Sequence, residues 1–502
     1  MKVKSNLFSL SRNLDSLFAA LAGFILIQIF SKHSGIGVSP DSVTYLSAAR
    51  HMIQGRGFIS FDDFPVVDFP FAYPFLLTII LFITGLDPLQ FAPILNGFLF
   101  GLLLYLSGAS MNGFQQPSGW YKRIILTCIL LSPAIQEVYS LLWSETIFLI
   151  LILLFIVSLS NYLKQLTNGW LLISALVCAL ACLTRYAGVF LLPAGLSLII
   201  VNQDISWRRR LKHSLLFCTL SISLFLINIL RNDLLTGLAM GQRPRNDTGI
   251  FKILEYFGGV FCDWLLLDRK PALAILLSIT VLLVFVLTIL VLYRSKKSKT
   301  GFEFVTAVTG LMYCVFMVFT STLTRYEQFT NRLLSPLFIP LLWSISWWIP
   351  GFISGKAYRF RWIWGTLVLL LASWFLNIQL AADYEYYDGV KDAGIPGYRE
   401  DPFVQSAIVQ FVEKYKTEFD PQLPIYSNAG EAVYFITGLP ARQLPFAAFP
   451  AKVQQYYAMK SAYLVWFRDL DNPEMPLLDS IRQNKNLQLI KELPDGAIYY
   501  SR

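Results

Sequence analysis

The sequence predicts an α-helical polytopic membrane protein of about eleven transmembrane helices, closed by a small extracytoplasmic α/β domain. Three observations lead there. Of the 502 residues, 55% are hydrophobic and only 15% charged, with a mean hydropathy of +0.54, too apolar for a soluble globular chain of this size. Apolar stretches suited to a hydrocarbon core of about 30 Å recur from "LFAALAGFILIQIF" (17–30) onward. Basic residues gather at the ends of these stretches, where membrane orientation explains them, so the net charge of +9 does not call for nucleic acid.

The basic clusters set the order of the spans. They are Lys2/Lys4/Arg12, Lys122/Arg123, Lys164, Arg208–Arg210 with Lys212, Arg294–Lys299 and Lys356/Arg359/Arg361. Placing all of them in the cytoplasm requires an even number of crossings between neighbours. Three apolar stretches, 17–30, 71–84 and 91–109, lie between the first two clusters. The middle one, "FAYPFLLTIILFITG", is short and opens on Tyr73-Pro74, so it reads as an extracytoplasmic juxtamembrane helix. The remaining spans fall near 124–141, 143–162, 169–185, 187–202, 214–230, 272–293, 303–322, 333–349 and 362–380. No small-residue cleavage site follows 17–30 before Asp41, so this stretch is expected to remain as an uncleaved anchor with a cytoplasmic N-terminus.

The expected division is a transmembrane domain over 1–380, with a first extracytoplasmic loop at 31–90, and an extracytoplasmic α/β domain over 381–502. In the tail, "PFVQSAIVQFVEKY" (402–415) has helical spacing, while "LPIYSN", "AVYFITG", "AYLVWF" and "GAIYY" read as strands. The six cysteines (128, 178, 182, 218, 262, 314) form no CxxC pair and read as packing residues. His33, His51 and His213 are scattered in sequence and suggest no histidine-rich metal site.

This threading gathers Asp41, Asp62, Asp63, Asp68, Glu145, Asp247, Asp263 and Glu327 on the extracytoplasmic face. Asp41 lies in "GVSPDSVTYLSAAR" (37–50), where Ser39 or Asp41 is the candidate N-cap, Pro40 a first-turn residue, and Tyr45, Leu46 and Ala49 one face of an amphipathic helix on the outer leaflet. Taken alone, this segment leaves capping and catalysis equally open for Asp41. Glu145 in "WSET" has a similar alternative, a helix N-terminal carboxylate favoured by the dipole.

"PDSVTYLSAAR", the G-x-G turn at 55–57 and "FPFAYPFLL" together resemble the GT-C-type glycosyltransferases, especially bacterial members related to protein O-mannosyltransferases and to the lipid A aminoarabinose transferase. "SLLWSETIFLILILL" (140–154), "LACLTRYAGVFLLPAG" (180–195) and "TNRLLSPLFIPL" (330–341) extend the resemblance over roughly residues 15–345. It implies a GT-C-like fold in a bacterial inner membrane, and transfer of a sugar from a polyprenyl-phosphate donor to a lipid, glycan or protein hydroxyl outside the cytoplasm. Asp41 would then be the general base and Glu145 the second catalytic acidic position. Arg185, Arg325 and Arg332 would bind the donor phosphate, with Tyr45, Tyr326 and Glu327 touching the substrate. The chemistry suits these residue types, because a hydroxyl becomes nucleophilic when a carboxylate accepts its proton and a guanidinium fork matches a phosphate.

Some relatives hold a divalent cation here, but no third ligand or DxD-like pair accompanies Asp41, so no metal or other cofactor is expected. Membrane lipids are the remaining partners, with no nucleic acid. Two other readings are a transporter or flippase for a lipid-linked or small polar substrate, and a non-catalytic scaffold in polysaccharide export. A transporter usually places ionisable groups near the bilayer midplane, whereas these charges gather at one face.

Overall fold

The computed structural model describes residues 12–294, 299–324, 328–470 and 472–501, and the chain is largely helical. In chain order the helices are α1 (Leu14–Phe30), α2 (Pro40–Ile53), α3 (Ala72–Thr84), α4 (Pro88–Met111), α5 (Gly119–Leu130), α6 (Pro133–Ser140), α7 (Glu145–Gln165) and α8 (Asn168–Thr184). There follow α9 (Leu191–Val201), α10 (Trp207–Thr236), α11 (Ile250–Trp264), α12 (Pro271–Arg294), α13 (Phe302–Leu323), α14 (Asn331–Ser346), α15 (Ile349–Ser354) and α16 (Tyr358–Ala393). The tail carries α17 (Asp401–Val404), α18 (Ala407–Tyr415), β1 (Ile425–Ser427), α19 (Gly430–Thr437), β2 (Ala441–Gln443), α20 (Pro450–Ala458), β3 (Ala462–Phe467), α21 (Leu478–Asn484), β4 (Leu487–Leu493) and β5 (Gly496–Ser501).

Among the described residues, seven helical stretches are long and apolar enough to cross a membrane: α4, α7, α10, α12, α13, α14 with α15, and α16. The expected span at 124–141 is instead two short helices, α5 and α6. Pro133 offers no N–H to continue α5 and disfavours helical backbone at Ser132, which sits at ψ 113. The chain also breaks at Arg185, where α8 ends on an extended residue and a 3₁₀ turn, Tyr186–Phe190, leads into α9.

Two compact units emerge, and they do not follow a single cut near residue 380. One comprises Met1–Ile29, Asp68–Ala72 and Pro93–Asp388. Its central helix is α7, buried on nearly every face and flanked by α8 and α13. Small residues let its first helices approach closely. A Cβ at Gly101 of α4 would stand 2.8 Å from the Ala20 carbonyl oxygen of α1, so only glycine permits this spacing. Gln28 Nε2 donates to the Pro93 carbonyl (2.8 Å) at the other end of the same helix pair.

The other unit comprises Phe30–Val67, Tyr73–Ala92 and Gly389–Arg502, joining the first loop and α3 to the tail. The reason is visible in its hydrogen bonds. Tyr398 N donates to Val38 O (2.8 Å), Ile395 N to Ser34 Oγ (3.1 Å), and His33 Nε2 lies 3.2 Å from Asp401 Oδ1. Its sheet has the order β2-β1-β3-β5-β4, with β1 parallel to both β2 and β3, and β5 antiparallel to β3 and β4. Tyr426, Leu464, Ile481 and Tyr499 form part of its core.

The tail differs from its sequence reading in several places: 402–415 is divided between α17 and α18, and the strands β2 and β4 were not expected. "AVYFITG" is the end of helix α19, not a strand, because parallel β1 and β2 need a crossover and α19 supplies it, closing on left-handed Gly438 (φ 73).

α2 differs as well. The sequence suggested a half-exposed interfacial helix, but Ser42 through Ala49 are buried, with the Tyr45 ring edge-on to Tyr73 at 5.0 Å. The cap is Ser39, whose Oγ accepts from Ser42 N while Ser42 Oγ accepts from Ser39 N (3.0 Å). Asp41 is therefore not the N-cap.

Candidate active site

In the unit built from Pro93–Asp388, the turn between α6 and α7 is the anchor. Asn96 of α4, fully buried, donates through Nδ2 to the carbonyls of Tyr139 (2.9 Å) and Leu141 (2.8 Å). Tyr139 stacks on Phe100 at 4.9 Å and donates to Thr146 O (2.9 Å). These contacts hold Trp143, Ser144 and Glu145 at the start of α7.

Glu145 accepts from two arginines. Arg332 reaches it through Nε and Nη2, and Arg185 Nη1 lies 2.6 Å from Oε2 while also donating to Ser144 Oγ (3.0 Å). The Arg332 guanidinium sits over the Trp143 ring, 4.2 Å from its centroid. The helix breaks explain the convergence: Arg185 sits in the gap after α8, and Arg332 in the first turn of α14 just past the N-cap Thr330.

Burial grades the roles. The Glu145 side chain is 2% exposed, whereas those of Arg185 and Arg332 are 18% and 17% exposed. Two guanidiniums against one carboxylate leave one positive charge in the triad, and the arginines carry its solvent-facing edge. Such an arrangement can take a phosphate oxyanion.

Several neighbours escaped the sequence reading. Asn331 Nδ2 donates to Glu137 Oε2 (3.3 Å) and its Oδ1 accepts from Trp264 Nε1 (3.1 Å), while Gln136 Nε2 donates to Asp383 Oδ2 (2.8 Å). An acidic residue inside an apolar stretch was the available signal for Glu137. The aromatic-rich "YFGGVFCDW" ends at Trp264 of α11, whereas nothing local marked Asp383, which arrives from α16.

Asp41 and Tyr45 belong to the other unit. Asp41 is half-buried in the first turn of α2, and Tyr45 is 1% exposed in that unit's core. Asp41 interacts electrostatically with Tyr398 and with Glu431 of α19. The expected site residues Arg325, Tyr326 and Glu327 lie outside the described residues. No three His, Cys, Asp or Glu side chains gather as a metal site among the described residues. The six cysteines are free thiols, five of them buried.

No protein-family model and no curated protein matches this sequence. Solved structures do. ArnT from Cupriavidus metallidurans in the apo state superposes with a TM-score of 0.57 over 98% of both chains at 14% identity. ArnT bound to undecaprenyl phosphate gives 0.56 over 97% of both chains at 13% identity. The chain has the ArnT-like fold. ArnT is a GT-C lipid A aminoarabinose transferase, so the fold implied by the short sequence motifs is the one present. The arabinofuranosyltransferase AftD from Mycobacteria matches over 96% of this chain and 41% of its own, at 12% identity and a TM-score of 0.45. The ArnT-like fold and the long apolar helices describe a multi-pass membrane protein with a small C-terminal sheet.

Proposed function

We propose that this protein is a membrane glycosyltransferase that moves a sugar from a polyprenyl-phosphate donor to a hydroxyl acceptor on the extracytoplasmic face. The observation that carries this reading is the Glu145–Arg185–Arg332 triad, a positively charged edge held by a buried carboxylate in a chain with the ArnT-like fold. ArnT was solved bound to undecaprenyl phosphate, and a guanidinium pair suits the same head group here. In this mechanism the acceptor oxygen attacks the anomeric carbon with inversion while Asp41 takes the hydroxyl proton. The carbon–oxygen bond to phosphate breaks, and the lipid phosphate leaves against Arg185 and Arg332. Glu145 orients the two arginines, and its carboxylate is spent on them rather than on substrate. The expected roles of Arg325, Tyr326 and Glu327 on the donor side remain part of the proposal, as does Tyr45 behind Asp41.

Asp41→Asn tests the base. It keeps side-chain shape and leaves the Ser39 cap intact, so folding and membrane insertion should match the parent protein, while transfer falls by roughly 10²–10⁴-fold. The readout is mass spectrometry of envelope lipids and glycans from a deletion strain complemented with each form. Product at parental levels from Asp41→Asn would remove Asp41 from the role of base.

A further inference from the structure

A cavity of 290 Å³ lies between the ends of α7, α9, α12 and α13, in the same compact unit as the Glu145 triad but at the opposite end of α7. Leu163 on its wall is about five helical turns, or roughly 27 Å, along α7 from Glu145. A space of this size is not a packing defect of a close-packed bundle. Its lining carries opposite charges that do not close on each other. Asp204, in the loop after α9, and Lys299, ahead of α13, both border it, and neither forms an ion pair among the described residues. Lys299 Nζ rests on the Tyr293 ring, 4.0 Å from its centroid. Asn202 borders the same cavity, and its Nδ2 is buried with no hydrogen-bond partner among the described residues.

Both sides of the cavity are held by the protein's own bonds. Asp204 N donates to Asn202 Oδ1 (3.0 Å), which commits the amide oxygen and leaves the amide N–H groups to meet a ligand. Arg210 ties down the same loop, donating through Nε to Ile205 O (3.0 Å) and through Nη1 to Ile200 O (3.2 Å). Across the cavity, Ser160 Oγ of α7 donates to Thr300 O (3.0 Å), next to Lys299. A buried donor without an acceptor is costly, and an oxygen supplied by a ligand removes that cost.

We propose that this cavity binds the head group of a zwitterionic phospholipid carrying a primary amine. The phosphodiester oxygens accept from Asn202 Nδ2 and face the Lys299 ammonium, while the lipid ammonium donates to Asp204. Leu163, Leu198 and Val201 supply an apolar wall for the acyl side. Lys164, Arg208–Arg210 and Arg294 cluster at this end of the helices, and the positive-inside tendency assigns it to the cytoplasmic leaflet.

Charge separates the lipid classes. An anionic head group would satisfy Lys299 but set like charge against Asp204. A choline head group has no N–H to give the carboxylate, and the Tyr293 face that would suit a quaternary ammonium is already covered by Lys299. A soluble phosphoamine would leave the apolar wall uncovered. The proposal does not depend on the transfer reading, since no residue of the triad takes part.

Native mass spectrometry of the full-length protein in detergent tests it, by titration with dioleoyl phosphatidylethanolamine, phosphatidylcholine or phosphatidylglycerol. The first phosphatidylethanolamine should bind roughly tenfold tighter than either other lipid, and its N-methyl and N,N-dimethyl forms should fall between it and phosphatidylcholine as N–H donors are lost. Asp204→Asn should bring phosphatidylethanolamine down to the phosphatidylcholine level without weakening phosphatidylglycerol. Lys299→Gln should weaken phosphatidylethanolamine and phosphatidylglycerol alike. Asp204 is exposed and Lys299 half-buried, so both variants should unfold at the parental temperature without lipid, and phosphatidylethanolamine should raise that temperature in the parent only. Equal affinity of the parent for phosphatidylethanolamine and phosphatidylcholine overturns the proposal, as does a preference that survives Asp204→Asn. Displacement of the bound lipid by an equal concentration of glycerophosphoethanolamine overturns the lipid assignment in favour of a soluble ligand.

Discussion

Replacing Glu145 by glutamine removes one negative charge and keeps the side-chain shape, so it isolates what the carboxylate does for Arg185 and Arg332. In the folded protein it accepts three N–H contacts, from Arg332 Nε, Arg332 Nη2 and Arg185 Nη1. Breaking a buried ion pair on one side costs ~3–5 kcal/mol when the remaining charge cannot reach water. Here each arginine keeps close to a fifth of its side-chain surface exposed, so partial rehydration brings the expected loss to ~2–3 kcal/mol. The two guanidiniums then also repel each other, and the fork proposed to meet the lipid phosphate loses its fixed orientation. We expect Glu145→Gln to unfold at a lower temperature in detergent and to bind undecaprenyl phosphate about tenfold more weakly, ~1.4 kcal/mol. Thermal unfolding across a titration of that lipid reads both quantities from one sample. Unchanged unfolding together with unchanged or tighter lipid binding would refute the anchoring role.

Arg332→Lys keeps the charge but loses the fork and the face over Trp143, so undecaprenyl phosphate binding should weaken by roughly tenfold while the protein still inserts. Gly101→Val should drive α1 and α4 apart at the Ala20 carbonyl, costing ~1–3 kcal/mol, visible as a lower unfolding temperature without a change in the lipid-binding ratio of the survivors. Stability should also depend on pH through Glu431. Its folded proton affinity is raised, chiefly by burial, so the folded state binds more protons than the unfolded one. That contribution is complete below the unfolded value of about 4.3 and is lost as pH rises through the folded value. Glu431→Gln should flatten the fall in unfolding temperature over this window.

The sequence determined what depends on neighbours along the chain. Length and apolar composition settled that α4, α7, α12 and α13 would be membrane helices, because each satisfies its own backbone hydrogen bonds and faces lipid or other helices with apolar side chains. The acidic residue after "LLWS" and the arginines at the helix breaks were legible for the same reason, since charges at the edge of apolar runs are costly without a task.

Tertiary structure decided the rest. Nothing in "AVYFITG" distinguishes a strand from a crossover helix until two parallel strands on either side require one. Whether Ser39 or Asp41 capped α2 turned on the reciprocal bond with Ser42, a matter of side-chain geometry rather than residue type. Glu145 looked like a second catalytic acid in sequence. Only the convergence of α8, α14 and the α6–α7 turn shows its carboxylate already occupied by two guanidiniums. The bonds from Tyr398 N to Val38 O and from Ile395 N to Ser34 Oγ span most of the chain, and no local pattern encodes contacts made by folding the first loop onto the tail.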